Sequence, residues 1–333
     1  MSEFASSSPP FSQEDSFSQY YAQQIAPFWQ QRQHGYSQGT NNQRLYWIAL
    51  TSPKHTKAIM VVNGRIESTW KYQELFFDLF QQGYDIYSYD HRGQGLSDRL
   101  TANPELGHVM DFSDYVDDMA LMVEQFHFSR YEHSFLLGHS MGGAICTRYL
   151  QTHPNHPFVA TALCAPMFGV NLSWYMRPIA RWLSVLLDTL SSQPNFALGQ
   201  GAYWSKPFEN NPLTLSKVRY TWFRDLYESM PQLKLGGPSS RWVSQSLTSA
   251  QTCVDNAADI TTPLLLLQAG DDIIVSNQAQ SKFMQNLKQE KRTSQMVSLP
   301  GSRHELLFER DHIRNTALEN ILGFFQRNTP HHN

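Results

Sequence analysis

The stretch LLGHSMGGA, residues 136–144, decides how this chain is read. Gly138-His139-Ser140-Met141-Gly142 places a serine between two glycines, after the apolar run "FLL" and before a helix-forming run. A strand that turns sharply into a helix needs small residues two positions either side of the turn, because side chains there would strike the strand or the helix. Ser140 would then project above the carboxyl end of a strand, over a helix N-terminus that favours developing negative charge. As a bare pentapeptide the pattern is equally that of a glycine-rich turn with an unreactive serine. The decision rests on whether the rest of the chain supplies partners.

Working outward, short apolar runs alternate with helical periodicity. "LYWIAL" from residue 45, "KAIMVVNG" (57–64), "YDIYSYD" (84–90), "HSFLLGHS" (133–140) and "FVATALCAP" (158–166) read as strands. Between them, Trp70, Leu75, Phe76, Leu79 and Phe80 fall at helical spacing, and 114–127 and "MGGAICTRYLQTHP" read as helices. Such alternation predicts an α/β fold: a mostly parallel twisted sheet with helices on both faces, its strands apolar throughout because both faces are covered. The rhythm stops at residue 171 and resumes with "TPLLLLQAG" (262–270), a helix near 276–289, "TSQMVSLPG" (293–301) and a terminal helix near 311–326. Residues 171–245 carry many large aromatics and no convincing strand, so they are expected to form a helical cap inserted into a core of 18–170 and 246–333. Residues 1–17, rich in Ser, Pro and polar groups, are expected to be poorly ordered.

The partners follow in the order serine, acid, histidine. Of the 13 histidines, His304 alone lies just beyond the carboxyl end of the last strand, in "PGSRHELLFERD". The penultimate strand runs into Gly270-Asp271-Asp272. Only one of these carboxylates can orient the imidazole; Asp272 is preferred, with Asp271 the alternative. An oxyanion needs two donors, one being the Met141 N–H. The second is assigned to the N–H of Arg65 in "NGR", where Gly64 permits the turn. His139, adjacent to the serine, is given a structural role. "DHRGQGLSD" (90–98) lacks the glycine and lysine spacing of a phosphate-binding loop and is read as pinning a loop beside the site.

Composition agrees with this reading and excludes others. With 333 residues, 41% of them hydrophobic and 13% aromatic, the chain can bury a large core. A net charge of −3 and the lack of a basic, aromatic-laced cluster argue against nucleic-acid binding. Cys146, Cys164 and Cys253 form neither a disulfide framework nor a zinc set, so buried thiols in a reducing compartment are expected. No signal peptide is read at the N-terminus, and no run reaches the ~18 apolar residues of a membrane span. A cytoplasmic protein is expected, peripheral at the inner membrane if its cap touches lipid. The chemistry calls for no cofactor and no metal.

Taken in order, "VVNGRIEST", "YDIYSYDHRGQGLSDR", "GHVMDFSDYVDDM", "LLGHSMGGAI", "CAPMFGV", "PLLLLQAGDD" and "PGSRHELLFE" resemble the α/β-hydrolases of the monoacylglycerol lipase and bacterial lysophospholipase group. The likeness spans roughly residues 40 to 327. It implies a Ser140, Asp272, His304 triad, a helical cap, and a lipid ester substrate: lysophospholipid, or else monoacylglycerol. Carboxylesterase or acyltransferase activity, and a non-enzymatic binding role, are the alternatives. The chain departs from the monoacylglycerol lipases at "NGR", where those carry "HG" and a small residue. Within the insertion, Met176, Ile179, Leu183, Leu186, Leu187 and Leu190 share one helical face, suited to line an acyl tunnel, dock at a membrane or pack the cap on the core.

Overall fold

A computed structural model describes residues 11–171, 193–287 and 294–329. The amphipathic stretch 173–190, the end of the helix expected near 276–289, and residues 1–10 of the N-terminal segment lie outside the described residues. Eight strands form one sheet: β1 (Gln33–Gln38), β2 (Arg44–Leu50), β3 (Lys57–Val62), β4 (Tyr84–Tyr89), β5 (His133–His139), β6 (Phe158–Cys164), β7 (Leu264–Ala269) and β8 (Gln295–Leu299). Their order is β1-β2-β4-β3-β5-β6-β7-β8. β2 pairs antiparallel with both β1 and β4, and every pair from β4–β3 to β7–β8 is parallel.

The central strands are buried along nearly their whole length, as a sheet covered on both faces requires. Leu264, Leu265, Leu266 and Leu267 are fully buried, each adding about 1.5–3 kcal/mol of apolar transfer. Register then does functional work. Val62 lies opposite Gly138, and His139 opposite Cys164, so the loops leaving β3, β5 and β6 begin side by side. Ala269 opposite Leu299 does the same for β7 and β8. In open parallel sheets the carboxyl edge of the strands is where ligands bind.

Two expectations are corrected. Residues 11–17 are packed, with Phe11, Ser12 and Phe17 buried. Ser12 Oγ donates to Glu74 at 2.5 Å and to Asp78 at 2.9 Å, and the same acids pair with Arg219 and Arg314. Buried carboxylates need such partners, and here they tie the N-terminal segment to the helices Gln73–Gln81, Lys217–Ser229 and Asp311–Arg327. Second, the insertion boundary at 245/246 falls inside the helix Ser240–Asp255, which is capped by Ser239 and packs against the core helices Met141–Thr152 and Asn277–Asn286. A Ser-rich, weakly apolar sequence hides where that core helix begins.

Described residues of the β6–β7 connection before that helix lie over the carboxyl edge. Tyr227 Oη donates to Ile66 O at 2.8 Å, Glu305 N–H donates to Leu213 O at 2.8 Å, and Gly236 N–H donates to Glu105 O at 2.7 Å. The three cysteines are buried and unpaired. Burial pushes their thiols up, that of Cys253 to about 12.

Candidate active site

Ser140 sits at the tip of the turn between β5 and the helix Met141–Thr152, with φ 51° and ψ −116°. For a non-glycine residue this conformation costs about 1–3 kcal/mol, so the surroundings must over-determine it. They do: Ser140 N–H donates to Cys164 O at 3.1 Å, and Ser140 O accepts from Met167 N–H at 2.9 Å and Ala144 N–H at 3.2 Å. The flanking glycines are required by contact. A Cβ on Gly142 would come within 2.2 Å of Val62 O, and one on Gly138 within 2.8 Å of Cys146 Sγ and 3.0 Å of Gly143 Cα.

The partners converge on that serine. His304 Nε2 lies 2.9 Å from Ser140 Oγ, and His304 Nδ1 lies 2.7 Å from Asp272 Oδ2. With Nδ1–H donated to the carboxylate, the ring presents an unprotonated Nε2 to the hydroxyl. Asp272 Oδ1 accepts from Ile274 N–H at 2.7 Å and Val275 N–H at 3.1 Å. Burial disfavours the charge on Asp272, yet the hydrogen bond from His304, with those two amides, holds its pKa below the ordinary 3.8. Asp271, by contrast, points to solvent.

Opposite the serine, "NGR" leaves β3 as a tight loop in which Ile66 takes φ 67°. A Cβ on Gly64 would sit 3.2 Å from Ser140 Cβ, so this loop is packed against the serine. Among the described residues, neither the Arg65 nor the Met141 amide N–H has a protein acceptor. The loop is held from behind by Gln94, whose Nε2 donates to Gly64 O at 2.8 Å and Glu67 O at 2.9 Å. "DHRGQG" therefore pins the loop, as its position after β4 suggested. Asp90 at its head accepts from Thr69 N–H at 2.6 Å and Leu96 N–H at 2.7 Å, and burial raises its pKa to about 6.

Sequence reasoning missed the layer beneath. Glu67 accepts from Gly64 N–H (2.5 Å), Tyr72 Oη (2.6 Å), Lys71 Nζ (2.8 Å) and His139 Nδ1 (3.1 Å). Lys71 Nζ also donates to Glu305 at 2.6 Å and stands over the rings of Phe223 and Phe308. His139 Nε2 lies 3.3 Å from His304 O, so the structural role given to His139 is a specific one. All four charged groups are buried. Burial works against the charge on Glu67, but Lys71 and His139 hold its pKa well below 4.5. Burial likewise opposes charge on His139, and Glu67 outweighs it, raising the pKa above 6.5. The i,i+4 spacing of Glu67 and Lys71, and an acid directly after His304, were the available signals.

This sheet order, with a strained serine joined to a histidine and an acid at the strands' carboxyl edge, defines an α/β-hydrolase with a serine nucleophile geometry. The chain belongs to the family described as serine aminopeptidase, S33 (Hydrolase_4), whose match spans residues 53–311. It is 36% identical to lysophospholipase L2 of Escherichia coli K12 over 95% of this chain and 94% of that protein. Human monoglyceride lipase is 27% identical over 83% of this chain and 84% of its own length. Among solved structures, a soluble variant of Saccharomyces cerevisiae monoglyceride lipase superposes with a TM-score of 0.68 at 19% identity, covering 90% of this chain and 97% of that one. That last likeness is one of fold.

Proposed function

We propose that this protein is a serine carboxylic ester hydrolase that releases fatty acid from lysophospholipids, or from monoacylglycerols, through an acyl-enzyme. The observation that carries the reading is the continuous Ser140–His304–Asp272 hydrogen-bond chain in a chain so similar to a lysophospholipase. Ser140 Oγ attacks the ester carbonyl carbon while its proton passes to His304 Nε2, and Asp272 orients the imidazolium and offsets its charge. The Met141 and Arg65 N–H groups hold the tetrahedral oxyanion. On collapse the bond from carbonyl carbon to glycerol oxygen breaks, and His304 returns the proton to that oxygen. Water, deprotonated by His304, then attacks the acyl carbon; Ser140 Oγ leaves with the proton, and the fatty acid departs.

The described residues of the β6–β7 connection that precede the helix Ser240–Asp255 serve as a cap over this site. Leu198 and Trp204, 77% and 64% exposed, are its contact with a lipid surface. Replacing both by serine lowers co-sedimentation with phospholipid vesicles; unchanged sedimentation removes this contact from the reading. Among the described residues no helix is long and apolar enough to cross a membrane. For the chemistry itself, Ser140→Ala is expected to lower kcat on p-nitrophenyl butyrate on the order of 10⁶-fold with an unchanged circular dichroism spectrum. A folded variant that keeps the wild-type rate overturns the assignment.

A further inference from the structure

Among the described residues, the buried guanidinium groups have carboxylates beside them. Arg92 pairs with Asp118 and Asp114, Arg219 with Glu74 and Asp311, and Arg314 with Asp78. Arg65, which is half-buried, has none among the described residues, as is also true of Arg32 and Arg224. Its Nη2 donates to Gly236 O at 2.6 Å, its Cζ stands 5.0 Å from the centre of the Trp242 ring, and its Nε is buried without an acceptor. Room for the group is made by Gly107, where a Cβ would come within 2.6 Å of Nη2. A carbonyl and an aromatic face hold the cation in place but leave its charge uncompensated. Even partial burial of a cation without an anion is costly, and the loss of hydration lowers the Arg65 pKa to about 10, still protonated at neutral pH.

This unpaired charge belongs to a loop packed against the serine, on the residue whose backbone N–H is proposed to hold the oxyanion. We infer that the Arg65 side chain reads the phosphate of the substrate: while its amide holds the acyl oxyanion, its guanidinium engages the phosphodiester on the same glycerol. Three glycerol carbons separate the acyl ester oxygen from the phosphate oxygen in a 1-acyl lysophospholipid, a span comparable to an arginine side chain. A monoacylglycerol presents a neutral hydroxyl there and gains nothing from the cation. The planar, weakly hydrated guanidinium suits a phosphate at a half-buried site better than an ammonium does. This inference rests on the lysophospholipid reading of the same site and makes lysophospholipid the preferred of its two substrates.

The test compares kcat/KM on monomeric 1-acyl lysophosphatidylcholine and on the monoacylglycerol of equal chain length, for wild type, Arg65→Met and Arg65→Lys. Any of these residues keeps the backbone N–H, so the ratio of the two substrates isolates the side chain. The ratio is expected to fall about 10- to 100-fold in Arg65→Met, chiefly through KM, and by less in Arg65→Lys. In parallel, glycerophosphocholine should inhibit p-nitrophenyl ester hydrolysis competitively in wild type and less so in Arg65→Met. Equal losses on both substrates, with inhibition unchanged, make Arg65 a clamp between Gly107 and Gly236 and overturn the inference. If the Met variant does not fold, the Lys ratio decides alone: a wild-type ratio overturns. A wild type that cleaves neither lipid defeats the parent reading instead, independently of any Arg65 variant.

Discussion

Replacing Glu67 by Gln changes a carboxylate that accepts four hydrogen bonds into a group with one acceptor oxygen. The least damaging orientation keeps that oxygen toward Gly64 N–H, because Lys71 retains Glu305 at 2.6 Å. Lys71 then loses one of its two anions, and His139 loses its counter-charge. Breaking a buried pair costs about 3–5 kcal/mol, and the surviving Lys71–Glu305 pair places this case near 3. At ~2.1 cal/mol/K of unfolding entropy per residue, 333 residues give about 0.7 kcal/mol/K, so Tm should fall by about 4 °C. Activity should fall too, since Gly64 N–H anchors the loop that carries the Arg65 amide, and the Glu67–His139 pair braces His304 O. A roughly 10-fold loss in kcat is expected on p-nitrophenyl acetate, with little change in KM, because the oxyanion contact forms only in the transition state. The assay is thermal denaturation beside steady-state kinetics, repeated in 0.5 M salt, which screens surface pairs but not this buried one. A Tm within 1 °C of wild type with unaltered kcat would refute the reasoning.

Two further outcomes are expected. Asp272→Asn keeps the fold but leaves His304 without its anion and with the wrong tautomer favoured, lowering kcat by about 10⁴-fold at similar KM; a loss under 10-fold sinks the assignment of Asp272. The pH dependence of stability has two limbs. The His139 pKa is raised above 6.5 in the fold, so its contribution is complete below that pH and is lost as pH rises through the raised value. The Asp272 pKa is depressed below 3.8, so its contribution is present above that pH and is lost as pH falls through the depressed value. Tm measured against pH should therefore decline on the alkaline side in wild type and decline less in Glu67→Gln; parallel curves speak against a charged His139.

What the sequence disclosed follows from how each element is stabilised. β3 to β7 are legible because a strand buried on both faces must be a continuous apolar run, and the loops after β5, β7 and β8 carry Ser140, Asp272 and His304 at spacings the fold dictates. β1, "QHGYSQ", escaped notice: it is an exposed edge strand, and neither face demands apolar residues. Residues 11–17 look disordered because their anchors, Glu74, Asp78 and Asp311, lie far along the chain. The Glu67 cluster showed in the sequence only as the i,i+4 spacing of Glu67 and Lys71 and an acid after His304, since His139 and Glu305 meet it only when β3, β5 and the loop after β8 converge. Arg65 was singled out for its amide; that its side chain has no acidic partner could only be seen once its neighbours were in place.

The backbone at Ser140 has a consequence for how this protein tolerates change. A residue held at φ 51° is one the fold would rather see replaced by glycine, since glycine relieves the strain and removes the proposed nucleophile in one step. The most stable version of this turn is thus an inactive one, and the conformational cost is kept only as long as selection acts on turnover. Stabilising substitutions sought by screening for folded protein alone would drift toward loss of the hydroxyl; those sought in this chain should be scored on activity from the first round.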